Sequence, residues 1–282
     1  MIRGDSSVTT AAVVEYYAEA SDLISADLGG PMHFGYWRDL PEGSTIPDAS
    51  RRMTELMVEK VGVTKGQRVL DVGCGRGQPA VQLAEATGAE VVGIDISPRH
   101  VRLAGDLARA ASRDDQVRFE VADVTELPYP PESFDGAWML ESFFHMPDQT
   151  AALRQIARVL RPGGKLVIAN LVLRTPLTDE QNARLASLWK VGQIAALVPL
   201  SGYPGVLAES GLYTDEVLDI SEHSIGPTFA AIRELHAARR RAEAAESNAS
   251  VDLKEDMDAG MDLFSATPAI GFAIIVASKP TA

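Results

Sequence analysis

Short, β-branched apolar runs recur through the middle of the chain, at residues 68–72, 90–94, 117–121, 134–139 and 165–172. Stretches with helical spacing separate them, at 79–87, 98–111 and 149–160. Strands and helices alternating at these lengths predict right-handed βαβ crossovers, and so an α/β fold whose parallel sheet is covered on both faces. Upstream, Met53, Leu56, Met57 and Val61 share one helical face, and Gly62 closes that helix. Residues 1–12 are small and polar and read as a loose tail, and 11–30 as a helix. The segment MHFGYW (32–37) then gathers three aromatics and a histidine around Gly35, as a flap over the core or facing a ligand.

The alternation loosens after Leu173. Thr178 and Gln181 form a capping-box pattern ahead of Leu185, Leu188 and Trp189, which share a helical face. A second helix-rich stretch follows Thr228, interrupted near 247–250, and its run of arginines at 239–241 reads as a solvated face. The chain closes on GFAIIVASKP, a dense strand signal. The organisation expected is a helical flap over 1–47 and a main domain over 48–282, with lid inserts at about 174–210 and 224–264.

Composition narrows the function. The 282 residues suit one large domain with a lid, able to bury enough surface without disulfide or metal staples. Lys+Arg 26 against Asp+Glu 39 gives a net charge of −13, which repels phosphate backbones and makes nucleic acid an unexpected partner. Cys74 is the single cysteine, so no disulfide framework or Cys-rich metal site is expected. No apolar run is long enough to span a bilayer, and MIRGDSSVTT lacks the apolar core of a signal peptide. The expectation is a cytoplasmic protein with no membrane partner, with homo-oligomerisation left open.

The chemistry concentrates at three strand ends. VLDVGCGRG runs from a buried strand through Asp71, Gly73, Gly75 and Gly77 toward a helix. Glycines there allow a tight turn and close approach of a ligand to the main chain. Gln78 stands where the dinucleotide fingerprint needs glycine, and no Gly-Lys-Ser/Thr follows, which disfavours NAD, FAD and a phosphate-binding loop. The next strand ends in VVGIDIS, placing Asp95 where a carboxylate accepts ribose hydroxyls; the third ends in FEVADV, placing Asp123 at the same edge.

In order and spacing, VLDVGCGRG, GIDIS, VADVTELPYPPESFDGAW and IARVLRPGGKLVIA resemble the successive motifs of class I S-adenosylmethionine-dependent methyltransferases. MHFGYW and LESFFHMPD are similar to small-molecule methyltransferases of bacterial natural-product pathways, in particular the rebeccamycin sugar O-methyltransferase group. The resemblance implies a Rossmann-like fold with a seven-strand, mostly parallel sheet in which GFAIIVASKP is an antiparallel strand inserted late. It also implies S-adenosylmethionine as cofactor and a small-molecule acceptor.

Carried over by position, Gly73, Gly75 and Gly77 would line the methionine part of the cofactor, with Asp71 nearby. Asp95 would hold the ribose hydroxyls, Ile96 and Val124 flank the adenine, and Asp123 accept from its amino group. Leu140 and Glu141 would close over the sulfonium end, and Tyr17 would cover the cofactor. His145, just past the fourth strand, resembles the catalytic histidine and is the expected general base. His33, Trp37, Phe144, Asn170, Trp189 and Tyr203 are the expected acceptor-binding residues, while His100 is expected to face solvent.

Some relatives carry histidine and aspartate where this chain has Phe144 and Asn170, so a His–Asp partnership is missing here. The function implied is O-methylation of a bulky natural product, on its sugar in the narrower form. N- or C-methylation, or cyclisation of a polyketide on the same fold, is the alternative.

Overall fold

The computed structural model describes residues 2–3, 5, 7–30, 32–244 and 262–281. Its centre is a seven-stranded sheet. Five strands are parallel: β2 (Arg68–Val72), β3 (Glu90–Asp95), β4 (Val117–Val121), β5 (Phe134–Leu140) and β6 (Leu160–Leu173). The last strand, β9 (Ile270–Ser278), runs antiparallel beside β6 and carries β8 (Tyr213–Asp219) on its outer side, giving the order β4-β3-β2-β5-β6-β9-β8. The chain builds outward from β2 through β3 to β4, then crosses back to β5. The topological switch point therefore lies between β2 and β5, where open α/β sheets bind ligands at the carboxyl ends of their strands.

The crossover helices α3 (Gln78–Thr87), α4 (Pro98–Ala110) and α5 (Gln149–Val159) fall where the sequence pattern places them. Preceding them, α2 (Ile46–Val61) begins at a Thr45/Asp48 capping box and ends on Gly62 at φ 66°. Its residues Met53, Met57 and Val61 are buried where the helix packs on β5, β6 and β9. A sheet covered on both faces carries two apolar layers. On β6, Val167, Ala169, Leu171 and Leu173 belong to one, and Leu166, Ile168 and Val172 to the other.

The expected loose tail includes a two-residue strand, β1 (Ile2–Arg3), paired antiparallel with β7 (Ala196–Leu197). Next comes α1 (Thr10–Leu28), capped by Thr9 and ended by Gly29 at φ 71°. In the first insert, α6 (Asp179–Val191) starts at the expected Thr178/Gln181 box, and α7 (Tyr203–Glu209) follows β7. The second insert contains α8 (Ile225–Ala244); the interruption expected near 247–250 lies outside the described residues. Arg239 on α8 donates to the Ala26 carbonyl, so the arginine run is not simply a solvated face. No helix among the described residues is long and apolar enough to cross a membrane.

Candidate active site

The carboxyl ends of β2, β3 and β5 open onto a cavity of about 320 Å³, roofed by Val13, Val14 and Tyr17 of α1 and by Met32 and His33. The glycine loop forms one wall. Gly73 has φ 72°, and a Cβ there would lie 2.4 Å from the Ser142 Cβ, so only glycine fits between the two strand ends. Gly75 lines the cavity at φ 51°, and its N–H donates to Asp95 Oδ2 at 3.0 Å. Gly77 is a correction, since it does not line the cavity. A Cβ on it would lie 2.7 Å from both Ala104 Cβ and Phe119 Cζ, so this glycine admits close packing of the loop against α4 and β4.

Three carboxyl groups sit at successive strand ends. Asp95 accepts from Ser97 N–H on Oδ1 at 2.8 Å in addition to the Gly75 contact, which fixes its orientation. Asp123 spends Oδ1 on the N–H and hydroxyl of Thr125, leaving Oδ2 for a ligand. Asp71 is buried and its Oδ2 has no hydrogen-bond partner. Burial, reinforced by the charge of Asp95, pushes its pKa up to about 7, which the nearby Trp138 indole only partly opposes. Ile96, Val124 and Leu140 line the same cavity.

At the far end Glu141 occupies the left-handed region, φ 52°, unusual for a residue with a side chain. Its Oε1 accepts the Phe34 N–H, tying the MHFGYW flap to the end of β5. Burial pushes its carboxyl up to about 8, against this one opposing hydrogen bond.

His145 stands beside it on a short 3₁₀ turn, buried, with Nδ1 2.8 Å from the Gln193 carbonyl and Nε2 2.7 Å from the Tyr17 hydroxyl. A carbonyl can only accept, so Nδ1 carries the proton and Nε2 accepts from Tyr17. Burial lowers the imidazole to about 4, and raises the Tyr17 phenol well above its ordinary value. Gln193 is itself at φ 50°. The orienting acceptor that a carboxylate would provide thus comes from the main chain just after α6.

Similarity to known proteins decides the family. Residues 70–168 match the family model described as a methyltransferase domain. Methyltransferase GfsG of Streptomyces halstedii is 40% identical over 212 residues, 75% of this chain and 76% of that protein. The 27-O-demethylrifamycin SV methyltransferase of Amycolatopsis mediterranei (strain S699) is 36% identical over 269 residues, 94% of this chain and 95% of that one. The chain belongs to the class I S-adenosylmethionine-dependent small-molecule methyltransferases. Among solved structures, the [4+2]-cyclase SpnF matches this methyltransferase with a TM-score of 0.78 at 26% identity, covering 97% of this chain and 98% of that one. Geranyl diphosphate C-methyltransferase from Streptomyces coelicolor A3(2) shares the fold, with a TM-score of 0.74 at 17% identity over 96% and 97% of the two chains.

The residues of this methyltransferase fit its cofactor. A fixed carboxylate at the end of β3 suits ribose hydroxyls, and an unpartnered buried carboxyl suits a cationic ligand. The expected cofactor residues Tyr17, Asp71, Gly73, Gly75, Asp95, Ile96, Asp123, Val124, Leu140 and Glu141 all line the cavity, as does His145.

The expected acceptor residues are dispersed. Only His33 lines the cavity. Trp37 donates from its indole to Thr228 of α8, Phe144 packs on His145 at 4.2 Å between ring centroids, and Trp189 joins Leu185 in the apolar layer beneath α6 and α8. Asn170 shares its face of β6 with Ile168 and Val172 and alternates with Ala169 and Leu171, so it belongs to the layer that holds Tyr203. A residue motif does not reveal which face of β6 carries position 170.

His100 corrects the sequence expectation in the opposite sense. It is 2% exposed and lines the cavity beside Asp95. The signal was available: it lies in the first turn of α4 after the N-cap Ser97, the turn that faces a ligand at a strand's carboxyl end.

Proposed function

We propose that this methyltransferase transfers a methyl group from S-adenosylmethionine to a hydroxyl of a bulky natural product, with His145 as general base. The observation that carries the reading is the Gln193–His145–Tyr17 arrangement: a neutral imidazole, its proton fixed on Nδ1, presents Nε2 as an acceptor at the cavity wall. When bound, the cofactor supplies a methyl group already activated on a sulfonium. The protein's task is then to orient the acceptor, exclude water and take one proton.

In this reading Asp95 accepts from the ribose hydroxyls and Asp123 Oδ2 from the adenine amino group, with Ile96 and Val124 against the ring. Gly73 and Gly75 admit the main chain to the methionine portion, and Asp71, Leu140 and Glu141 surround the charged end. Tyr17 closes over the site from α1 and holds the Nε2 position that the acceptor's hydroxyl takes, whose proton passes to His145. Burial keeps His145 uncharged at neutral pH, and so free to accept. The curated relatives support an oxygen acceptor, one being named for O-demethylrifamycin SV and another as O-methyltransferase cnsE of Penicillium expansum. The hydroxyl lies on the aglycone or on its sugar, and product fragmentation assigns it.

His145→Ala should lower turnover by about 10² to 10⁴, the range for loss of a general base, with S-adenosylhomocysteine affinity nearly unchanged. Unchanged turnover at every pH would remove His145 from the mechanism. The likeness to the [4+2]-cyclase SpnF favours one second reading, cyclisation of a polyketide. Product mass separates the two, since transfer adds one methyl and cyclisation adds none.

A further inference from the structure

The carbonyl that orients His145 belongs to a short connection without regular structure, so other groups must hold it in place. Residues 192–195 join α6 to β7, and Gln193 turns the chain there with a left-handed φ of 50°. Its carbonyl accepts from His145 Nδ1 at 2.8 Å. The Tyr17 hydroxyl on Nε2 can donate or accept, and so fits either tautomer of the ring. A carbonyl only accepts, so the Gln193 carbonyl is the partner that selects the tautomer.

Gln149 ties this connection to the turn that carries His145. It is the first residue of α5 and 8% exposed, and its Nε2 donates to the Phe143 and Ala196 carbonyls at 3.1 Å each. A side-chain amide has two N–H groups, so both are used. Phe143 begins the 3₁₀ turn that ends in His145, and Ala196 begins β7 just past Gln193. Between the two, the Ala195 N–H donates to the Phe144 carbonyl at 2.9 Å. Phe143, Phe144 and His145 are thus each fastened to the connection, Phe143 through the Gln149 amide. That amide is rooted in a helix start that Asp148 caps by accepting the Ala151 N–H at 2.8 Å, which gives the clamp a rigid base.

We propose that Gln149 is a positioning residue for methyl transfer: by bridging the Phe143 and Ala196 carbonyls it holds the Gln193 carbonyl on His145 Nδ1, leaving Nε2 to take the acceptor's proton. The inference rests on the reading of His145 as general base and adds the side chain that sets its tautomer.

Long-range proton–nitrogen correlation spectra of the full chain, labelled with nitrogen-15, report histidine tautomers directly and need no acceptor. The His145 signal is the one that disappears in His145→Ala. At neutral pH the unaltered protein should show His145 as a single form, protonated on Nδ1. Gln149→Met, of nearly the same length but without an N–H, should lose that single form. Its two ring-nitrogen shifts should draw together as both tautomers become populated, while calorimetric affinity for S-adenosylhomocysteine stays within a few-fold. Gln149→Leu removes the same donors and serves should the methionine variant not fold. An unchanged His145 signal in these variants would overturn the positioning role and leave the base reading standing. Loss of S-adenosylhomocysteine binding together with the signal would mark a role in the fold at large and would overturn it too. Undiminished turnover in His145→Ala would bring down the base reading and this inference with it.

Discussion

Glu141 concentrates three unusual properties in one residue: a left-handed backbone, a buried carboxyl and a hydrogen bond that anchors the flap. Its effect on stability has a definite sign. The folded chain keeps the Glu141 proton up to about pH 8, whereas the unfolded chain releases it near 4.5, so this group makes the ligand-free fold less stable as pH rises between those values. Glu141→Gln keeps an oxygen for the Phe34 N–H but cannot ionise. Its melting temperature relative to the unaltered protein should therefore climb from pH 4.5 to 8 and stay level outside that window, as thermal unfolding in a pH series would show. Asp71, Asp95 and His145 were legible in the sequence because each follows an apolar run that fixes where its strand ends. His100 was misread although its place after the N-cap was visible, because PRHVRLAGDLARA has the charge density of a solvated helix and masks a first turn aimed at the cavity. Asn170 lies away from this cavity for a different reason, as alternation along β6 sends neighbouring side chains to opposite layers, and Tyr203 of α7 packs in the layer that Asn170 faces.

Among the elements, α1 has the most direct influence on access. Tyr17 fastens it from inside and Asp22 from outside, through Arg76 of the glycine loop at 3.1 Å and Arg99 of α4 at 2.7 Å. Exposed pairs of this kind contribute little each and weaken with salt. Asp22→Ala should accordingly speed release of S-adenosylhomocysteine several-fold at low ionic strength, with the difference shrinking in high salt; stopped-flow displacement measures it. The pattern of apolar positions placed β2, β3, β5, β6 and β9 because these strands lie within the sheet and are mostly buried, and it placed the edge strand β4 by its β-branched and aromatic residues. It missed β8, whose sequence YTDEVLD lies at the sheet edge and alternates exposed with half-buried residues, so no apolar run marks it. It also missed β7 and α7, which are too short to carry a period.

At the scale of the molecule, the sheet order brings β2, β3 and β5 to one edge, and α1 with Met32 and His33 closes over it. The net charge of −13 made nucleic acid an unexpected partner; the structure locates Asp71, Asp95, Asp123 and Glu141 around one cavity. The acceptor could not be read from the sequence because the inserts pack mainly as core, so their apolar residues record folding more than specificity. In the proposed function this cavity methylates a hydroxyl. The most direct test incubates the protein with S-adenosylmethionine bearing a trideuterated methyl group and a panel of hydroxylated, macrocyclic polyketides and their glycosides, and reads products by mass spectrometry. The expected product carries one labelled methyl group on oxygen, lost or strongly reduced in His145→Ala. An acceptor rearranged with no gain in mass, while the labelled cofactor stays intact, would contradict it.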